Sequence, residues 1–368
     1  NTTGGGIISG VLSNGSLVKD GNGTLTLSGN NTYAGDTTIS AGTLEIGAAG
    51  RLGAGTYSGN ITNNSALIYS GTTSQTLSGI LSGTGALTQN GAGTLYFNGA
   101  NLTSYSGNIS LNAGNLETSV NNIGTGALFI NGGTLTARIA NRTISNNGTI
   151  GGNFTLNGAN AGNNTMTLSG NFDMLGGNRT ISTLNTTGGS FISGVLSNGS
   201  LVKDGNGTLT LSAANTYTGG TTVNAGTLAL SIGSALTGNV TVNSGATITG
   251  SSHGVLASGV NLTINGGTFN IGVYTNQFTS VNMTNGSLLG NGSGNNYYIT
   301  SGFTGAGNNT ITGGIDLRSV QANSGTLNIT SGTTTVSGTI GNTQPSQILG
   351  LTKNGAGTLL LSNAANTY

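Results

Sequence analysis

The side chains able to do acid–base, nucleophilic or metal chemistry are few enough to weigh one by one. The single histidine, His253, stands in Ser251-Ser252-His253-Gly254, and any Ser-His-Asp constellation would have to use it. Its nearest acids along the chain are Asp204 and Asp316, so it reads as a solvated loop histidine. The acids are Asp20, Asp36, Glu45, Glu117, Asp173, Asp204 and Asp316. A polysaccharide lyase or hydrolase needs several acids, or an Arg/Lys cluster, in one groove. The least unfavourable place is a pairing of Asp173 with Arg179, for which a surface ion pair is the simpler reading. Asp20 and Asp204 are one repeat position, which reads Asn90 and Asn354 elsewhere; a turn residue explains that exchange. A metal site needs clustered His, Cys, Asp or Glu, and cysteine is absent. Gly4-Gly5-Gly6 precedes neither a helix nor a Lys-Ser/Thr pair, so it is no phosphate cradle. No catalytic, cofactor-binding or metal-binding residue is expected, and no cofactor.

Two polar residues recur at fixed places. Lys19, Lys203 and Lys353 each precede a turn, with Gln89 at the same place in another copy. They form either a ladder of contacts or, more simply, solubilising edge charges. Tyr33, Tyr217 and Tyr368 recur in Asn-Thr-Tyr, with Tyr105 in a variant. Tyrosines in a row stack on sugars; the simpler alternative is a structural corner, ring packed and hydroxyl at the surface.

The elements that carry these residues are repeats. Residues 1–47 and 185–231 align without gaps, and 36 of 47 positions are identical. With looser copies, the units span 13–47, 85–118, 197–231 and 350–368, the last truncated. Self-similarity of this kind marks a repeat architecture. At the Lys/Gln position the copies lie 70, 114 and 150 residues apart, which excludes a propeller of equal blades. Within each unit the period is two, as in Thr24-Leu25-Thr26-Leu27, which makes strands with one apolar and one polar face. Leu25, Leu27, Ile39, Leu44 and Ile46 are expected inside; Thr24, Thr26, Thr38 and Thr43 outside. Asn14-Gly15, Asp20-Gly21, Asn131-Gly132 and Asn265-Gly266 mark tight turns with positive φ. The expected fold is all-β without significant helix: one continuous parallel β-solenoid over 1–368, of roughly 18 coils of about 20 residues.

Composition agrees. Of 368 residues, 70 are glycine, one is proline (Pro345) and 4% are charged, against roughly a quarter charged in an ordinary globular protein. A net charge of +1 gives no nucleic-acid footprint. No apolar run approaches the roughly 20 residues of a membrane helix, so direct membrane insertion is not expected. A chain without cysteine must draw its stability from stacking, since each coil alone recovers less than its ordering costs. The absence of a starting Met and of a signal peptide suggests a mature or excised segment.

The unit G-x-L-x-K-x-G-x-G-T-L-x-L, then N-T-Y-x-G, then T-x-I/V-x-x-G-T-L, resembles the passenger-associated transport repeat of autotransporters, an autotransporter-associated β-strand repeat. Leu17, Lys19, Gly21, Gly23, Leu25 and Leu27 carry it in the first copy, followed by Asn31, Tyr33, Gly35, Gly42 and Leu44. Leu201, Lys203, Gly205, Gly207, Leu209 and Leu211 carry it in the second full copy, followed by Asn215, Tyr217, Gly219, Gly226 and Leu228. The resemblance implies a right-handed β-helix exported through the outer membrane to the bacterial surface. Its role would be structural or adhesive, in cell-surface adhesion, biofilm or matrix, and not enzymatic. Expected partners are surface glycans, other cells, or copies of itself end to end or side by side. An extracellular filament or sheath is the first alternative. An ice-binding solenoid, suggested by Thr-x-Thr pairs such as Thr208/Thr210, is the second.

Overall fold

The computed structural model describes residues 4–99, 102–158, 164–184, 187–231, 236–291, 295–317, 324–341 and 350–366. Tyr368 of the truncated copy lies outside them. The chain forms two compact units, Asn1–Leu175 with Ile181–Gly194, and Gly176–Thr180 with Val195–Tyr368.

Each unit is a parallel β-solenoid. In the first, Thr24–Leu27 pairs in register with Thr43–Ala48, which pairs with Ala66–Gly71 one coil on. A second, four-stranded sheet takes Leu17–Lys19, Thr37–Ile39, Ile61–Asn63 and Leu81–Ser82. A third takes Gln75–Leu77, Thr94–Phe97, Asn115–Thr118 and Thr134–Ala137. The second unit stacks Thr208–Leu211 on Thr227–Leu230 and that on Thr247–Gly250, beside a ladder through Thr221–Val223 and Val240–Asn243. The only described helix is one 3-10 turn, Gly53–Gly55, so no helix is long and apolar enough to cross a membrane.

The solenoid has about 15 turns, fewer than the 18 expected. The coil length explains the difference. Coil partners lie 19 residues apart at Thr26 and Glu45 but 25 apart at Asn309 and Thr334. Strands also outgrow the usual five residues: Asn276–Thr284 runs for 9 and Asn295–Ala306 for 12, each with a register shift that bends it.

Alternation sorts the side chains as expected. Leu27, Ile39, Leu44 and Ile46 are buried, while Thr24, Thr26, Thr38 and Thr43 are half-exposed. Each buried Leu or Ile contributes roughly 1.5–3 kcal/mol. Leu25 is the exception: it is only half-buried, because its register partner below is Gly6, which offers no side chain. Its repeat equivalent Leu209 is fully buried. In the second unit Phe269, Phe278 and Tyr297 pack inside the coils, with ring centroids 5.7–6.4 Å apart.

Candidate functional site

In two of its three copies the recurrent lysine is not an edge charge, whereas Lys353 is exposed, as an edge charge would be, and donates to Gly355 O. Lys203 is fully buried and Lys19 nearly so. The period-two alternation accounts for it: in Leu201-Val202-Lys203 the lysine falls on the same face as Leu201, in register with buried Val223. Its ammonium donates to Asp204 O at 2.8 Å, Gly205 O at 2.7 Å and Ala225 O at 3.1 Å. Lys19 repeats the set with Asp20 O at 3.1 Å, Gly21 O at 2.6 Å and Ala41 O at 2.8 Å. The turn after the strand aims its carbonyls inward, and one buried donor closes the ring across two coils.

The motif's glycines follow from this cage. Gly21 and Gly205 adopt φ 75° and 73°, which lets the turn carbonyls point at the ammonium. One coil on, Gly42 and Gly226 sit against the same turns, where a Cβ would overlap Gly21 O and Gly23 O, or Gly205 O and Gly207 O. Asp20 and Asp204 each accept the following glycine's N–H at 2.8 Å, so they are turn residues, as their exchange for Asn implies. In the first unit the copy at Lys19 turns from the second sheet into the first, whereas the copy at Gln89 turns from the first into the third. The cage is thus a corner device that fits more than one corner, which is why the copies need no constant spacing.

Gln89 shows what the position selects. It is fully buried and its Nε2 donates to Gly91 O at 3.0 Å and Gly93 O at 2.8 Å. Its Oε1 is buried without a donor, since the surroundings are carbonyls. Gln89→Lys removes that orphaned acceptor and restores a third donor, so it is expected to stabilise the first unit by about 1 kcal/mol. A rise in the urea midpoint at unchanged slope is the readout; a fall would show that the charge costs more than the orphan.

The Asn-Thr-Tyr corner is packed as expected, but its hydroxyl is not at the surface. Tyr33, Tyr105 and Tyr217 are buried. Tyr33 and Tyr217 bond the hydroxyls of Thr37 and Thr221, four residues on, at 2.9 and 2.8 Å, while Tyr105 donates to Gly85 O at 2.6 Å. None of these three leaves a ring face for a sugar. The motif asparagine works between coils: Asn31 Oδ1 accepts Leu12 N–H at 2.9 Å while its Nδ2 donates to Gly29 O and Arg51 O. Tyr57, missed by the sequence reading, shares Thr37 with Tyr33 at 2.8 Å, and the rings meet edge to face. Its signal was present: Thr56-Tyr57-Ser58-Gly59 repeats the Thr-Tyr-x-Gly of Thr32 to Gly35.

Most of the remaining titratable groups serve turns and neighbouring coils. His253 is exposed and its Nδ1 accepts the N–H of Thr275 on the next coil at 3.1 Å. Asp36 and Asp173 accept backbone N–H groups of Asn60 and Leu175; Glu45 accepts the Thr26 hydroxyl; Asp316 is buried within Gly314–Leu317. Glu117 pairs with Arg138 at 2.7 Å, and the guanidinium covers the Tyr96 ring, an exposed contact worth little stability. Of the turn signals, Asn14, Gly15, Gly21 and Gly266 have positive φ, whereas at Asn131-Gly132-Gly133 the bend falls on Gly133. Among the described residues no three His, Cys, Asp or Glu side chains cluster for a metal.

The passenger-associated-transport-repeat family model matches residues 17–46, 87–117, 201–230 and 351–368. The first three are the segments that build the lysine or glutamine cage and the tyrosine corner. The chain is also 31% identical over 244 residues to the Adhesin BmaC autotransporter of Brucella suis biovar 1 (strain 1330), an alignment covering 54% of this chain and 6% of that protein. No solved structure matches. The chain thus carries passenger-associated transport repeats, three of them built around a buried cage at a solenoid corner, and over about half its length it is similar to an autotransporter adhesin.

Proposed function

We propose that this segment is a non-enzymatic, surface-exposed part of an adhesive passenger, presenting solenoid faces outside the cell. The observation that carries this reading is the fate of the repeat's polar residues. Lysine, glutamine, asparagine and tyrosine are all engaged within or between coils, so the unit specifies a shape, and the outward positions hold mostly uncharged Thr, Asn and Ser. The similarity to an autotransporter adhesin supports the same reading. Displaying the chain through a heterologous translocator on a non-adherent Gram-negative host tests it. The expected result is a protease-accessible chain that raises attachment to epithelial cells or glass above the translocator alone. A displayed chain that leaves attachment at background overturns the adhesive reading.

A further inference from the structure

One groove in the first unit has a built interior. It holds about 500 Å3, within the range of small-molecule sites. It arises from a missing strand: successive coils carry Arg142–Ile144 and Met166–Leu168 in register, but the stretch Asn121–Gly124 below them forms no strand. Thr143 therefore donates its N–H to a side chain, Asn121 Oδ1, at 3.2 Å, and a hollow is left beside the step.

The asparagines around this hollow are held by one end only. Asn121 Oδ1 accepts Thr143 N–H, Asn122 Oδ1 accepts Gly124 N–H at 2.7 Å, and Asn147 Oδ1 accepts Asn171 N–H at 2.8 Å. Asn146 fixes the floor, donating to Gly124 O and Gly126 O at 3.0 and 2.7 Å. Each of the three outer carboxamides is thus oriented by its oxygen, and among the described residues no acceptor engages its Nδ2. Thr125, Thr143 and Ser145, exposed in the same groove, add hydroxyls that both donate and accept. No charged side chain lines it. The nearest cation in sequence, Arg142, is in register with buried Met166, and its Nε is buried.

Oriented amide donors with hydroxyls, and no charge or apolar anchor, match one ligand chemistry. A protein partner would need aromatic or aliphatic anchors, and an anion would need a cation. A neutral saccharide offers dense hydroxyl and ring oxygens, and carboxamides already held in place lose little rotamer freedom on binding it. We propose that this groove binds a neutral saccharide through the Nδ2 groups of Asn121, Asn122 and Asn147 and the hydroxyls of Thr125, Thr143 and Ser145. The assignment rests on the adhesive reading above and gives it a ligand class.

An array of neutral and anionic oligosaccharides probed with the full chain tests it. The expected result is binding confined to neutral glycans. On the best of these, Asn121→Ala with Asn147→Ala weakens affinity about tenfold, the loss of one to two hydrogen bonds. Because Asn121 also caps a strand, a second variant fills the groove without touching any pinned amide: Ser145→Trp, with an unchanged melting curve, is expected to abolish binding. Binding only to anionic glycans, no binding at all, or binding that survives Ser145→Trp overturns the assignment. Attachment of displaying cells separates the two readings. If the parent chain attaches and Ser145→Trp attaches equally, the groove falls while adhesion stands. If the parent does not attach, adhesion falls and the array alone decides the groove.

Discussion

Lys203→Met is expected to destabilise the second unit by about 3–5 kcal/mol, whereas Lys203→Gln loses only about 1 kcal/mol. The methionine keeps the stem and removes the donors, so the carbonyls of Asp204, Gly205 and Ala225 stay in a dry interior without partners. Each buried unpartnered acceptor costs about 1–3 kcal/mol. The glutamine also removes the charge but keeps an NH2 group, and Gln89 shows that such a group satisfies two carbonyls in the same cage. The pair of variants therefore separates the donor from the charge. Urea unfolding followed by far-UV circular dichroism measures the loss, and amide exchange over 200–230 locates it, because a stacked solenoid opens locally. Equal losses for Met and Gln would mean that the ammonium charge, and not donation to the turn, stabilises the corner. A parent-like midpoint for Lys203→Met would mean that the cage contributes nothing.

The same cage marks where the sequence was legible and where it was not. Parallel β-structure could be read from Thr24-Leu25-Thr26-Leu27, because burial on one face of a strand imposes a period of two on any chain. The glycines could be read as turns, but not the contact that keeps Gly226 a glycine, since it touches carbonyls some 20 residues away. Lysine was read as surface because lysine is almost never fully buried unless paired. Two signs pointed inward: Lys19 shares the parity of Leu17, and one copy exchanges lysine for glutamine, which preserves a donor and discards a charge. The tyrosine hydroxyl carried a sign as well, in the Thr four residues after Tyr33 and Tyr217. Coil number was the least legible, because longer connections and long, register-shifted strands stretch a 19-residue coil to 25. The groove at Asn121 was not legible at all: it depends on a strand that fails to form, and Asn, Ser and Thr occur everywhere in this chain.

Alkaline pH is expected to unfold the solenoid steeply between about pH 10.5 and 12, after a rise in stability from pH 8. Burial holds the hydroxyls of Tyr33, Tyr105, Tyr217 and Tyr297 far above the usual tyrosine value, only partly offset by hydrogen bonds such as those from Thr37 and Thr221. Tyr57 and Tyr69 are raised by burial as well. A raised folded value means stabilisation fully present below the unfolded value of 10 and lost as pH climbs above it, because the unfolded chain ionises while the folded one cannot. Each such tyrosine forfeits about 1.4 kcal/mol per pH unit, so several together match a domain's whole stability near pH 11–12. Lys203 acts in the opposite sense. Burial pushes it down to about 8 from 10.5, against the pull of Asp204, so between those values the unfolded chain holds the extra proton and stability rises with pH. The two windows place the maximum near pH 10. Lys203→Gln is expected to abolish the rise and leave the collapse, while Tyr217→Phe delays the collapse after losing about 1 kcal/mol at neutral pH. Phenolate absorbance at 295 nm should grow mainly with the loss of β-sheet dichroism. A phenolate signal complete near pH 10, with dichroism intact, would mean that the tyrosine corners are open to water and do not bind the coils together.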